Sequence, residues 1–224
     1  MEKQNERKNS AQSSEYSTDG ISSNCNTEVL NFDETNTPQR KIFQLRNSYL
    51  ITEGRDGILL IDQHRAHINI LYHTLISEIK TGKVSTQALM FPSVLELDSD
   101  QRVMLDSVIE TIERIGFTIG NDASGNYVIE GIPGTLGESD PAKTIVSILD
   151  DFAEKGDVIE NEMMNRALLV AARASALKRG TALNNLEIEH LASSLFRLSS
   201  PGFTPDGKTV IYRLTDQNLK TFFS

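Results

Sequence analysis

Cysteine is nearly absent: one residue, Cys25, in 224. It has no partner for an internal disulfide, so no disulfide framework supports the fold. Long apolar runs are missing as well. No stretch approaches the eighteen or more residues that a membrane-spanning helix needs, and the opening "MEKQNERKNSAQSSEYS" has no apolar core of the kind a signal peptide carries. The expectations are no membrane association and a cytoplasmic location. Positive charge is short too, with 22 Lys and Arg against 31 Asp and Glu, a net charge of -9 and a pI near 5.0. Non-specific nucleic-acid affinity is mostly Lys/Arg electrostatics, so the balance argues against a broad phosphate-binding surface. What is present is 38% hydrophobic residues, enough to furnish the core of one large domain or two small ones.

Residues 1–40 are rich in Ser, Asn, Thr, Gln and Glu and cannot bury enough apolar surface to offset the entropy of ordering, so they read as a disordered linker of a longer chain. From Lys41 the pattern changes. "KIFQLRNSYLITEG" and "GILLID" are strand-like around the turn signal "EGRDG", which predicts an antiparallel hairpin ending at Asp62. A helix from about His64 to Lys80 follows, with Ile68, Leu71, Leu75 and Ile79 at helical spacing and Gly82 to end it. "QALMFPSVLEL" is extended, and an amphipathic helix with an Asp/Ser cap runs on to Gly116. A strand pair follows in "FTIG" and "NYVIEGIP". Pro141 opens the next helix. An Ala-rich helix is expected to run to Gly180, and a capped helix lies in "NNLEIEHLASSLFRL". The strand "KTVIYRL" and a short capped helix close the chain. This order specifies an α+β fold of two α/β lobes, one discontinuous, the other inserted at about 93–196.

Chemistry concentrates in "LLIDQHRAHINILYHTL". Asp62 at a strand end and His64 just past it are suited to a metal ion, but two ligands hold a catalytic metal poorly. His67 is close to one turn on; His73, nine positions from His64, falls about half a revolution round the helix, so a site using all three is not expected. The alternative is a strand-to-helix junction in which Asp62 and Gln63 cap the helix and His64 bonds locally. Small residues in "ALLVAARASALKRG" favour close helix packing, with Arg173, Lys178 and Arg179 on a solvated face and too few to outweigh the acidic surroundings as a DNA site. His190 reads as a surface residue.

Taken with "RASALKRGTALNNLEIEHL" and "SPGFTPDGKTVIYRL", this segment resembles the C-terminal domain of the MutL mismatch-repair family, over essentially all of residues 41–224. The resemblance makes 41–92 with 197–224 a dimerisation lobe, 93–196 an inserted regulatory lobe and 1–40 an interdomain linker. It implies a homodimer that docks a polymerase sliding clamp, a mismatch-recognition protein and a DNA helicase, with DNA engaged only weakly or through the parent protein. ATP and magnesium would belong to an N-terminal ATPase domain, with no cofactor in this part. Some members of the family cut DNA at a metal site built from three motifs. Here Asp62, Gln63 and His64 match the first. Arg65 replaces its Ala, and Ile68 and His73 stand where two Glu belong. Ala172 and Arg173 fall at the second motif without its thiolate, and Thr204 and Asp206 replace the metal ligands of the third. The expectation is therefore a vestige comprising Asp62, Gln63, His64, Arg173 and Asp206, with no catalytic residue and no resident metal. The competing expectation is a nicking endonuclease with a substituted ligand set drawn from Asp62, His64, His67 or His73, and Asp206.

"QALMFP" resembles the family's clamp-binding motif. Gln87 would make the orienting hydrogen bonds, Leu89 and Phe91 would enter a hydrophobic groove, and Met90 and Pro92 complete the peptide. Its alternative is a strand whose Leu89 and Phe91 are core. A monomeric clamp-binding adaptor is the third functional reading.

Overall fold

The computed structural model describes residues 41–137, 139–155 and 160–224. The expected linker at 1–40, with Cys25, lies outside the described residues. Among those described, six α-helices and two antiparallel sheets give the expected α+β class.

The first sheet has the order β1-β2-β3-β7, formed by Phe43–Leu45, Tyr49–Gly54, Gly57–Asp62 and Ile211–Thr215. The single strand expected across "KIFQLRNSYLITEG" is two. Arg46 and Asn47 adopt left-handed backbone, at φ 50° and 49°, and fold Leu45 back opposite Tyr49. The next turn is tighter, with Gly54 opposite Gly57. Gly57 has φ 139°, and a Cβ there would stand 2.1 Å from the Leu214 carbonyl oxygen, so the close approach of β7 requires glycine. β7 begins at Ile211, three residues later than expected, because Thr209 pairs instead with Phe203 and Val210 donates to the Gly202 carbonyl.

α1 (Gln63–Thr81) leaves the sheet at Asp62, whose carboxylate caps it by accepting from the Arg65 amide; Gly82 at φ 63° ends it. The helix serves two cores. Ala66 joins Leu50, Ile61, Leu191, Leu195 and Val210 beneath the first sheet, while Ile68, Leu71, Tyr72 and Leu75 enter a larger core with α2 (Ser99–Ile115), α3 (Pro141–Lys155), α4 (Glu160–Ser175) and the second sheet. That sheet has the order β4-β6-β5, from Thr86–Val94, Tyr127–Pro133 and Thr118–Asn121. β4 crosses residue 93 and pairs only with β6, whereas α5 (Asn185–Phe196) buries Ile188, Leu191 and Leu195 in the core of the first sheet. α6 (Asp216–Phe222) follows β7 behind a Thr215 capping box.

α4 departs from expectation at its end. It stops at Ser175, five residues before Gly180, and residues 177–183 run as an irregular segment tied by side chains from α1 and β1. No helix among the described residues is long and apolar enough to cross a membrane.

Candidate functional site

The motif at the start of α1 is used residue by residue to hold the 177–183 segment. His64 Nδ1 lies 2.7 Å from the Leu177 carbonyl oxygen, an acceptor, so this nitrogen carries the proton. His67 Nδ1 accepts from the Leu177 amide at 2.9 Å, so its proton sits on Nε2. The two rings therefore clasp both polar groups of one residue's backbone. Burial, reinforced by the nearby His64 and then His190, lowers the pKa of His67 to about 4 and keeps it neutral. Gln63 is fully buried and donates to the Thr181 carbonyl at 3.0 Å. Gln44, from the inner face of β1, donates to the same oxygen and accepts from the Leu183 amide. These bonds are what stop α4 early: a backbone engaged by side chains on both sides cannot continue a helical ladder.

The carboxylates belong to ion pairs. Asp62 Oδ2 receives Arg179 Nη2 at 3.0 Å and stands 3.7 Å from Arg65 Nε. Asp206 Oδ2 receives Arg173 Nη2 at 2.7 Å and Lys208 Nζ at 3.1 Å, and Thr204 donates to its other oxygen at 2.7 Å. Burial raises the Asp206 pKa, but the bonds from Thr204 and Lys208 and the charges of Arg173 and Lys208 outweigh it and hold the group below the usual carboxylate range. The two ion-pair groups adjoin, since Arg65 Nη1 donates to the carbonyl of Thr209, the neighbour of Lys208.

A divalent cation does not fit this donor set. Guanidinium and ammonium groups stand on the oxygens a metal would take, His64 and His67 spend Nδ1 on backbone, and among the described residues no three His, Cys, Asp or Glu side chains converge on one point. His73 stacks edge-on against Tyr72. His190 is exposed, as expected, and lines with His67 and Leu186 a cavity of about 410 Å³ beside α5. Sequence reasoning missed Arg65, Arg179 and Lys208 as partners of the two carboxylates. Arg65 and Lys208 stand three and two positions from their carboxylates, so those pairs were open to local reasoning; Arg179, 117 positions from Asp62, was not.

The "QALMFP" segment lies on an edge strand and leaves its ladder. Ala88 pairs with Gly131 and Ser93 with Ile129, so Leu89, Met90, Phe91 and Pro92 together face the single residue Glu130. Met90 is 91% exposed and Phe91 81%, while Leu89 packs against the larger core. Phe91 is therefore not a core residue, and the apolar pair that projects is Met90 with Phe91 rather than Leu89 with Phe91. Gln87 is exposed, opposite Ile132.

Residues 42–183 match the model of the MutL C-terminal dimerisation domain, and the chain belongs to that family. It is 33% identical over 192 residues to the DNA mismatch repair protein MutL of Parabacteroides distasonis, covering 86% of this chain and 31% of that protein. The corresponding figures are 31% over 180 residues for the MutL of Bacteroides fragilis, covering 80% and 29%. For that of Halothermothrix orenii they are 26% over 206 residues, covering 91% and 32%. The chain spans about a third of the length of these curated relatives.

Proposed function

We propose that this chain is the pairing and docking domain of a MutL-like mismatch-repair protein and that it does not cut DNA. The observation that carries the pairing is the outer face of the first sheet. Phe43, Ile51, Leu60 and Tyr212 stand opposite one another across all four strands, a continuous apolar row. Leu45 and Tyr49 extend it on one side, Ile58 and Leu214 on the other. Phe43 is 62% exposed and Tyr212 59%, in contrast to the opposite face, where Leu50 and Ile61 are buried. An apolar face of this kind is self-complementary under a twofold axis. On this reading the first sheet with α5 is the dimerisation lobe, and the second sheet with α2, α3 and α4 is the regulatory lobe. ATP and magnesium belong to another part of the parent protein.

The test is solution mass by light scattering. The parent chain is expected at twice 24.9 kDa. Phe43→Asp with Tyr212→Asp should give the monomer, still folded. A parent that is monomeric at tens of micromolar refutes the pairing.

The projecting bulge supports a second contact of the same domain, with a sliding clamp. Main-chain geometry holds Met90 and Phe91 out, and Gln87 is free to orient them. Gln87→Ala with Pro92→Ala should abolish capture by the clamp and leave the dimer intact. Unchanged capture removes the motif from the account. Against the nicking-endonuclease reading stand the ion pairs on Asp62 and Asp206.

A further inference from the structure

We propose that Phe222 and Phe223, at the end of α6, are an arm that crosses to a second copy of this chain and fills a cavity on its first sheet. The inference rests on the pairing reading above and adds which side chains meet. Leu219, Phe222 and Phe223 recur at helical spacing and form one apolar stripe along α6. Leu219 is half-buried, but Phe222 is 71% exposed and Phe223 88%, and α6 buries no residue. The stripe runs out from the sheet into solvent.

The receiving site lies at the other end of the same sheet. Leu45, Tyr49, Leu60, Tyr212, Arg65 and Arg179 wall an open cavity of about 420 Å³ beside Asp62. Two sheets stacked flat would leave it as a void, whose lining atoms lose their contacts on one side. Its walls suit an aromatic ring: the Leu and Tyr side chains offer apolar surface, and a guanidinium tethered by Asp62 can stack its plane on the ring. Of the exposed aromatic side chains, Phe43, Tyr49 and Tyr212 belong to the receiving face itself. Phe203 pairs with the cavity residue Thr209, and Phe91 belongs to the other sheet. Phe222 and Phe223 remain.

The two rings do not occupy their own chain's cavity. β3 spans about 17 Å from Gly57, opposite Thr215 where α6 begins, to Asp62 beside the cavity. From Thr215 to Phe223 the helix extends only about 12 Å, and the exposure of both rings shows that they do not lie back along the face. A twofold axis lying between two facing sheets and across their strands inverts the strand direction. It sets the Thr215 end of one copy over the Asp62 end of the other. Each copy then supplies one arm and one cavity, and the partner's rings cover the Asp62 ion pairs.

The experiment is directed cross-linking of the full chain in a Cys25→Ser background. One copy carries Phe223→Cys. A differently tagged copy carries either Thr209→Cys, exposed at the cavity, or Arg55→Cys, exposed at the opposite end of the sheet. After co-expression and mild oxidation, a disulfide-linked heterodimer is expected with Thr209→Cys and not with Arg55→Cys. Separately, Phe222→Ser with Phe223→Ser should keep the circular-dichroism spectrum of the parent and weaken the dimer by about ten-fold or more in sedimentation. A cross-link to Arg55→Cys, no cross-link to Thr209→Cys, or a doubly substituted chain that dissociates like the parent overturns the arm and leaves the pairing reading standing. A parent that is monomeric in the same sedimentation runs removes the pairing reading and the arm with it.

Discussion

At the residue scale, His64, His67 and Gln63 show how a motif with the look of metal chemistry can be a clasp. The geometry makes a pH prediction. His67 has a pKa of about 4 in the folded chain against an ordinary 6.5. Above pH 6.5 it is neutral both folded and unfolded. Between 6.5 and 4 the unfolded chain takes up a proton that the folded chain refuses, so stability falls with pH across that window, by on the order of 3 kcal/mol. Below about 4 both forms are protonated and this loss stops growing. Urea unfolding at pH 7 and pH 4.5 should show the decline, and His67→Asn should remove much of it; an equal decline in the variant contradicts the assignment. Gln63→Leu, which removes its bond to the Thr181 carbonyl and the one its own side-chain carbonyl accepts from Gln44, should cost about 1–3 kcal/mol in urea unfolding, while Gln44 still holds Thr181. Little of this was legible in the sequence. Asp62 as helix cap was, because capping is local. The use of His64 and His67 on Leu177, 113 and 110 positions away, was not.

At the scale of elements, local signals held where the deciding contacts are local. The Asp98 and Asn184 capping boxes, Pro141 at a helix start and Gly82 and Gly116 at helix ends all stand where the periodicity and caps put them. They failed where tertiary bonds compete. Gly180 was read as the end of α4, but the helix gives way at Ser175 to a segment whose amides and carbonyls are claimed by distant side chains. The turn at Arg46 and Asn47 escaped because only Asn47 is a residue type that favours left-handed backbone. The bulge in β4 makes its own prediction. Phe91→Ala, at 81% exposure, should leave stability within about 0.5 kcal/mol of the parent while weakening clamp capture. A large loss of stability would return Phe91 to the core and remove its docking role.

At the scale of the molecule, α1 links two cores: one beneath a sheet whose other face is apolar and open, one behind an edge strand that pushes two apolar side chains into solvent. On the proposed reading such a domain pairs and docks, with cations standing where a cutting metal would have to sit. Calorimetric titration of the purified chain with Mn²⁺ and Zn²⁺, alongside nicking of supercoiled DNA, separates this reading from a cutting domain. No tight stoichiometric binding and no nicking that depends on Asp62 are expected. Tight one-to-one binding, with nicking abolished by Asp62→Asn, would contradict it and mean that Arg179 and Arg173 yield their carboxylates to a metal.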